Sequence, residues 1–539
     1  MRIPIQGMTR RLQSKVWSLV VASSLIATVQ SLRAQDDTLN ASFNADQVHI
    51  SNTTLERLET LIPSLRPNNF IRSYSPFDIV SIPLQDNRIS PLFRGDLLYR
   101  FGLTEKMLSI EYGDTTNHVF AEPLAGLRAN LDDNGVQNWT KSYGFKIFGN
   151  LGSSFSFYMK AVDNGEQGSA VDPKRELQRS DGIVVSNYYG TKSFDFDETE
   201  GQIGLKWGIA QFFVEKIRNV WGYGNDGQVI FSRKAPSYPQ IRLVLSLKNH
   251  LKFTYIHASL FSDVVDSLQS YGDPANFVSY RKVFRSKYMV AHLLEYAPSD
   301  DLNFALGESM IYSDRFEPSY LIPFIFFKSI ERQTRDTDNA QIFAGMRYAI
   351  RTGGYLYIDF FIDDLNTGTM FSKQNTNIIA GTIGGRFSDV GVKDLDVTLE
   401  YTRINPWVYT HKYDATTYTS NSLTLGHWLG QNAELLYVAS QYRSMRQLSL
   451  GLTLQHILKG PLGPETIHYT APWDQALLDA PLFRQTLIGL HAQWEPYRGL
   501  IVRGEATLAT QSDDAPFGYQ SYSNKFMMNV GVVYNLFDN

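Results

Sequence analysis

The 539-residue chain has no cysteine, few charges for its length, and no long apolar run after its first thirty or so residues. Without cysteine there can be no disulfide framework, thiolate metal site or thiol nucleophile. No later segment offers the roughly 20 apolar residues that a spanning helix needs, so residence in a membrane would have to use strands. Charged residues make up 19% of the chain, against about 25% in an average soluble domain. The formal net charge of −4 gives no basic footprint, which argues against nucleic acid as a partner. Catalytic signatures are missing too: there is no G-x-S-x-G elbow, no H-E-x-x-H and no glycine-rich phosphate loop after a strand. A barrel lipase would need His and Ser facing lipid on neighbouring strands, and His292, His427 and His491 are the candidates for that. No enzyme, cofactor or metal is expected, because Asp363-Asp364 and Asp300-Asp301 read as ordinary acidic turns rather than a divalent-cation site.

Aromatic residues are abundant, at 13% with 30 Tyr and 33 Phe. The N-terminus is distinctive as well. Met1 to Lys15 carries Arg2, Arg10, Arg11 and Lys15 without an acid, an apolar stretch runs from Val16 to Val29, and Ala34-Gln35 precedes two aspartates. That order is the form of a secretory signal over residues 1–34. A polar segment, 35–93, follows. Within it Thr53 and Glu56 stand in capping-box spacing before Leu55, Leu58, Leu61 and Ile62, which predicts a short helix ended by Pro63. Too short to be stable alone, this helix must dock on something.

From Arg94 to the end the chain reads as strand after strand. In Arg446–Gln455, Leu448, Leu450, Leu452 and Leu454 alternate with polar residues and glycine. Gln240–Lys248, Gly354–Asp363, Asp394–Thr402 and Leu500–Leu508 behave the same way. Period-2 segments of about ten residues match tilted strands crossing hydrocarbon, and they exceed the usual length of soluble strands. Their polar faces carry both signs of charge: Arg242, Asp359, Asp363, Glu400, Arg503 and Glu505 read as lumen charges paired across strands. The last strand, Asn529–Phe537, resembles the C-terminal signal read by the outer-membrane barrel-insertion machinery. These features predict an all-β antiparallel transmembrane barrel over residues 94–539 with a small helical periplasmic segment before it. Dividing about 445 residues by roughly 25 per strand gives about 18 strands. The longest polar connections, Val162–Glu198, Ser262–Ser286, Ser313–Asn339, His456–Arg484 and Gln511–Asn524, are expected to be extracellular.

One ordered series of blocks carries a family resemblance. It starts with Trp221-Gly222-Tyr223-Gly224-Asn225-Asp226-Gly227 and Pro239-Gln240-Ile241-Arg242. Glu308, Tyr320-Leu321-Ile322-Pro323, Asp338-Asn339 and Tyr357-Ile358-Asp359 follow, then Glu400-Tyr401-Thr402-Arg403 with Pro406-Trp407, and last Gly426-His427-Trp428-Leu429-Gly430. In this series the chain resembles the capsule assembly protein Wzi family. The resemblance implies an occluded 18-stranded barrel of the cell outer membrane, closed by periplasmic helices and outer loops. It also implies a lectin-like hold on capsular or other extracellular polysaccharide. The expected partners are outer-membrane lipid, that polysaccharide and the insertion machinery, and a monomer is expected. A porin-like or substrate-specific channel is the alternative.

Sugar recognition uses flat aromatic faces and planar donors. Arg403, Trp407, Tyr409 and His411 lie within nine residues and form the leading local candidate. The same cluster also fits an interfacial girdle with a snorkelling arginine. Trp221 and Tyr223 in the glycine-rich turn are the second candidate, where the glycines equally suit backbone geometry.

Overall fold

Lipid cannot satisfy backbone N–H and C=O groups, so strands that face it must close on one another. The computed structural model shows that closure. It describes residues 70–71, 110–113 and 117–536, the last with breaks at 248–249, 274–277, 334–336, 351–352, 365–376, 446–447, 462–477, 479–481, 498, 515–518 and 520. The export signal expected at 1–34 and the helix expected at Leu55–Ile62 lie outside the described residues, as does the 35–93 segment apart from Phe70 and Ile71.

Eighteen antiparallel strands form the wall. They are β1 Asn117–Asp132, β2 Gly135–Leu151, β3 Phe155–Gly168, β4 Ser193–Trp207, β5 Ala210–Ile217 and β6 Tyr238–Leu247. Next come β7 Leu251–Leu260, β8 Lys287–Ser299, β9 Leu302–Ser313, β10 Asn339–Ile350, β11 Gly354–Asp364 and β12 Ile378–Ser388. The last six are β13 Leu395–Ile404, β14 Ala433–Met445, β15 Leu448–Lys459, β16 Phe483–Tyr497, β17 Leu500–Asp513 and β18 Tyr522–Tyr534. Each pairs with its sequence neighbour, and β1 closes the ring on β18 with Ala125 opposite Tyr534 and Asp132 opposite Met527. Two short pieces extend the sheet: Ile110–Gly113 against β1 and Val185–Tyr188 against β4.

Connections sort by end. At one end they are turns such as 152–154, 208–209 and 300–301, with 389–394 the longest among the described residues. At the other, 169–192, 218–237, 261–286, 314–338, 405–432 and 460–482 are long, the two-residue turn 133–134 between β1 and β2 being an exception. Outer-membrane barrels keep short turns in the periplasm and long loops outside.

The alternation expected from sequence sets the faces. Leu356, Phe360, Leu399, Tyr401, Leu450, Leu452 and Leu508 point outward and are exposed, while Arg242, Asp359, Glu400 and Thr402 on the opposite parity are buried. The outward aromatics Trp207, Tyr296, Tyr348, Tyr442, Trp494 and Tyr497 cluster at the short-turn end, as an interfacial girdle does.

The expected loop list needs two additions, 218–237 and 405–432. Both read as apolar in sequence because both enter the barrel. Their residues Trp221, Val229, Ile230, Phe231, Val408, Tyr409, Tyr418 and Leu429 join inward wall residues Ile256, Ala291, Phe343 and Phe361 in one core. The core therefore lies inside the wall, in the place where a pore would be.

Candidate functional site

The Trp221 loop, 218–237, enters the lumen by backbone geometry that only glycine allows. Gly222 has φ +123, and a Cβ on Gly224 would stand 2.1 Å from the carbonyl oxygen of Gly227. Two inward carboxylates hold the turn by its amides. Asp359 Oδ2 accepts from the N–H of Tyr223 at 2.6 Å and of Gly224 at 3.2 Å. Glu400 accepts from Asn225 N at 2.5 Å, Asp226 N at 3.0 Å and the Tyr357 hydroxyl at 2.5 Å. Asp226 itself is buried, accepts from Gln455 at 2.6 Å and pairs with Arg179 at 3.0 Å. Gly222 N donates to the Phe70 carbonyl at 3.0 Å, and Phe70 N donates to Glu295 at 3.0 Å, so the chain before the wall also reaches this core.

The Trp407 loop, 405–432, packs against the first. Asp363 accepts from Tyr409 N at 2.8 Å, and the Tyr409 hydroxyl donates to the Val229 carbonyl at 2.7 Å. Tyr409 stacks on Tyr418 with centroids 5.7 Å apart. The Trp428 indole N–H donates to the Asp226 carbonyl at 2.5 Å. Trp407 and Tyr409 both have positive φ, +62 and +72, a strain of about 1–3 kcal/mol each that persists only where surroundings over-determine it. Burial, helped by Lys459 and Arg179, pushes the His427 imidazole down to about 3, so it is neutral in this core.

A third loop, 169–192, covers the first. Arg218 reaches Glu198 at 2.6 Å, Glu200 at 3.6 Å and Asp181 at 3.9 Å, while Arg233 holds Asp181 at 2.6 Å. Lys234 Nζ donates to the carbonyls of Arg175 at 2.6 Å and Gln178 at 2.9 Å. Burial pushes the Lys234 ammonium down to about 8.

The candidates named from sequence thus separate. Trp221, Tyr223, Trp407 and Tyr409 come together, but as packed lumen residues rather than as a girdle or an open face. Arg403 is apart from them, on the outward parity of β13, half-exposed and 3.8 Å from Glu434. His411 sits at the mouth, bonded to Thr416 at 2.6 Å and beside the exposed Tyr413 ring at 5.7 Å. The expected cross-strand pairing of lumen charges holds for Arg242 with Glu215, at 3.0 Å. Asp359, Asp363 and Glu400 accept from loop amides, a role the sequence expectation did not include, because a re-entrant turn brings N–H groups that need acceptors. Arg503 and Glu505 face the lumen from β17, where Glu505 is exposed. Sequence reading missed Tyr413 and the roles of Asp226 and Arg179. Of the three histidines weighed for lipid chemistry, His292 alone has outward parity, and its ring nitrogens meet the Pro323 carbonyl and Glu308.

Asp226 makes the site sensitive to pH. Burial, opposed by Arg179, pushes its carboxyl up to about 7, against 3.8 ordinarily. The folded state therefore holds this proton more tightly than the unfolded chain, and stability falls as pH rises from about 4 to 7. We expect the unfolding midpoint in guanidinium to drop between pH 5 and pH 8 by an amount worth on the order of 2–4 kcal/mol. Asp226→Asn should flatten that slope, and an unchanged slope would mean that Asp226 does not carry it.

A closed eighteen-stranded antiparallel barrel with an apolar exterior and two of its own loops packed inside the wall defines an outer-membrane β-barrel. The family model of the capsule assembly protein Wzi matches residues 125–514, and the chain belongs to that family. Among solved structures it is similar to Wzi of Escherichia coli, described as an outer-membrane protein involved in group 1 capsule assembly and a carbohydrate-binding β-barrel. That likeness has TM-score 0.54 and 11% identity, and covers 91% of this chain and 99% of that one. More distant are OccD3 (OpdP) of Pseudomonas aeruginosa, TM-score 0.43 at 11% identity over 77% and 90%, and OccAB2 of Acinetobacter baumannii, TM-score 0.44 at 9% identity over 77% and 97%. No curated protein sequence matches.

Proposed function

We propose that this barrel holds surface polysaccharide at its long-loop mouth and passes nothing through its lumen. The carrying observation is that the Trp221 and Trp407 loops fill the lumen with packed aromatic side chains. The exposed Tyr413 ring beside the half-buried His411, with Lys412 over the Tyr413 ring at 5.5 Å, supplies a flat face and a cation at the mouth. In this reading Trp221, Tyr223, Trp407 and Tyr409 support the mouth from beneath, and Arg403 anchors the rim. Residues 1–34 serve as the export signal and 35–93 as a periplasmic plug. The plug is supported by Phe70, whose ring lies against Gly345 inside the wall.

The test is binding of polysaccharide extracted from the host bacterium's surface to the purified barrel in nanodiscs. The double variant His411→Ala, Tyr413→Ala should bind about three- to tenfold more weakly. A channel is the second reading, favoured by the water-facing Glu505 on the inner wall. Steady large conductance of the intact protein in a planar bilayer would replace the first reading with that one.

A further inference from the structure

Residues 314–333 of the connection after β9 enter neither the lumen nor the mouth. They lie on the outside of the wall, as burial along β8 and β9 shows. Toward the short-turn end their outward residues are bare, Leu306 at 60% exposure and Leu294 at 42%. Toward the long-loop end outward residues of the same strands are covered: Glu308 is 4% exposed, Tyr312 2%, and Val290 and Met310 0%. Outward Tyr255 and His257 on neighbouring β7 are buried too. The cover is the turn Pro318–Leu321 and the short helix α1, Phe327–Gln333, through Tyr320, Phe327 and Ile330.

The contacts beneath this flap are polar. Glu308 accepts from Phe327 N at 2.5 Å and meets His292 at 3.3 Å, and the other nitrogen of His292 meets the Pro323 carbonyl at 3.0 Å. The Tyr255 hydroxyl donates to the Tyr320 carbonyl at 2.8 Å, and the Tyr320 hydroxyl donates to Asp338 at 2.6 Å. His257 and the Tyr312 hydroxyl are 2.7 Å apart. A lipid-facing wall does not tolerate bare glutamate and histidine, and irregular backbone does not survive in lipid without partners. Here each cancels the other's deficit.

Five apolar side chains in the middle of the flap, Phe316, Leu321, Ile322, Phe324 and Phe326, are exposed, Phe324 at 66%, while the exposed polar residues Asp314, Arg315, Ser329, Arg332 and Gln333 stand toward its two ends. Phe324 stacks on Phe253 at 4.7 Å, and Phe253 is in register with Leu294 and through it with Leu306. The apolar face of the flap therefore continues the bare lipid-facing wall at the same level.

We propose that residues 314–333 are a re-entrant flap immersed in the outer leaflet, with Leu321, Ile322, Phe324 and Phe326 against lipid acyl chains. Buried Glu308 and Tyr255, with the partly buried His292 beside them, supply the backbone partners that lipid cannot. This assignment is independent of the polysaccharide reading.

Because the chain has no cysteine, single labels test it cleanly. Nitroxides are placed through Ile322→Cys, Phe324→Cys and Leu321→Cys in the full-length protein reconstituted in phosphatidylcholine–phosphatidylglycerol vesicles. Leu306→Cys on the bare wall and Lys412→Cys at the mouth are the references, and retention of heat-modifiable gel mobility establishes folding of each variant. The ratio of accessibility to oxygen over a water-soluble nickel chelate should match Leu306→Cys and exceed Lys412→Cys by about tenfold or more, because the chelate is excluded from hydrocarbon. A ratio like that of Lys412→Cys would place the flap in water and overturn the proposal. So would spin–spin broadening that disappears on dilution with unlabelled protein, which would make a second copy the occupant.

Discussion

Replacing Glu400 by alanine is expected to free the Trp221 loop while leaving the wall closed. The carboxylate accepts from Asn225 N, Asp226 N and the Tyr357 hydroxyl within one buried cluster. Hydrogen bonds to a charged group contribute about 1.5–3 kcal/mol each, and removing the acceptor strands two amides without partners. Water will reach part of the gap, so the summed loss should be about 3–5 kcal/mol. Asp359→Ala acts on the adjacent amides of Tyr223 and Gly224, and the double variant should cost less than the two singles combined, because both release one turn. The wall ladder joins neighbouring strands and does not run through this loop, so heat-modifiable mobility should survive with a lower midpoint. Bilayer conductance should rise above wild type as the loop leaves the lumen. Glu505→Gln on the exposed inner wall is the control, expected within about 0.5 kcal/mol of wild type. If Glu400→Ala matches that control in both midpoint and conductance, the carboxylates do not retain the loop.

The wall was legible in the sequence because lipid imposes a rule at every second residue. Leu448 to Leu454, Leu395 to Tyr401 and Leu356 to Ile362 obey it, and the strands observed there, β15, β13 and β11, begin within two residues of the expected starts. The contents of the barrel were not legible in the same way. Trp407 and Tyr409 look alike in sequence whether they face lipid, sugar or a core. Their partners decide the matter, and Tyr409 meets Asp363 46 residues away while Tyr223 meets Asp359 136 residues away. Local pattern cannot carry such distances. Two clues were nevertheless present: the Trp221–Gly227 stretch breaks the period of two with three glycines, and Glu308 and His292 put ionisable groups on outward parity. The first break marks a chain that re-enters the lumen, and the second marks a wall that something covers.

The sidedness of the wall can be tested with two adjacent residues. Leu452 on β15 points outward at 46% exposure, and Thr453 points inward, its hydroxyl 3.5 Å from the Gly489 carbonyl. Lysine on the lipid face near mid-bilayer costs about 2–4 kcal/mol, so Leu452→Lys should lower the guanidinium midpoint in lipid vesicles by that equivalent. Thr453→Lys places the same charge on the inner face, where the exposed Glu505 carboxylate approaches neighbouring Gly489. Its expected change is within about 0.5 kcal/mol. Because side chains alternate strictly, a register shifted by one residue would exchange the two results. Equal losses from both would mean that neither face of β15 meets hydrocarbon, and the membrane assignment of the wall would fall with them.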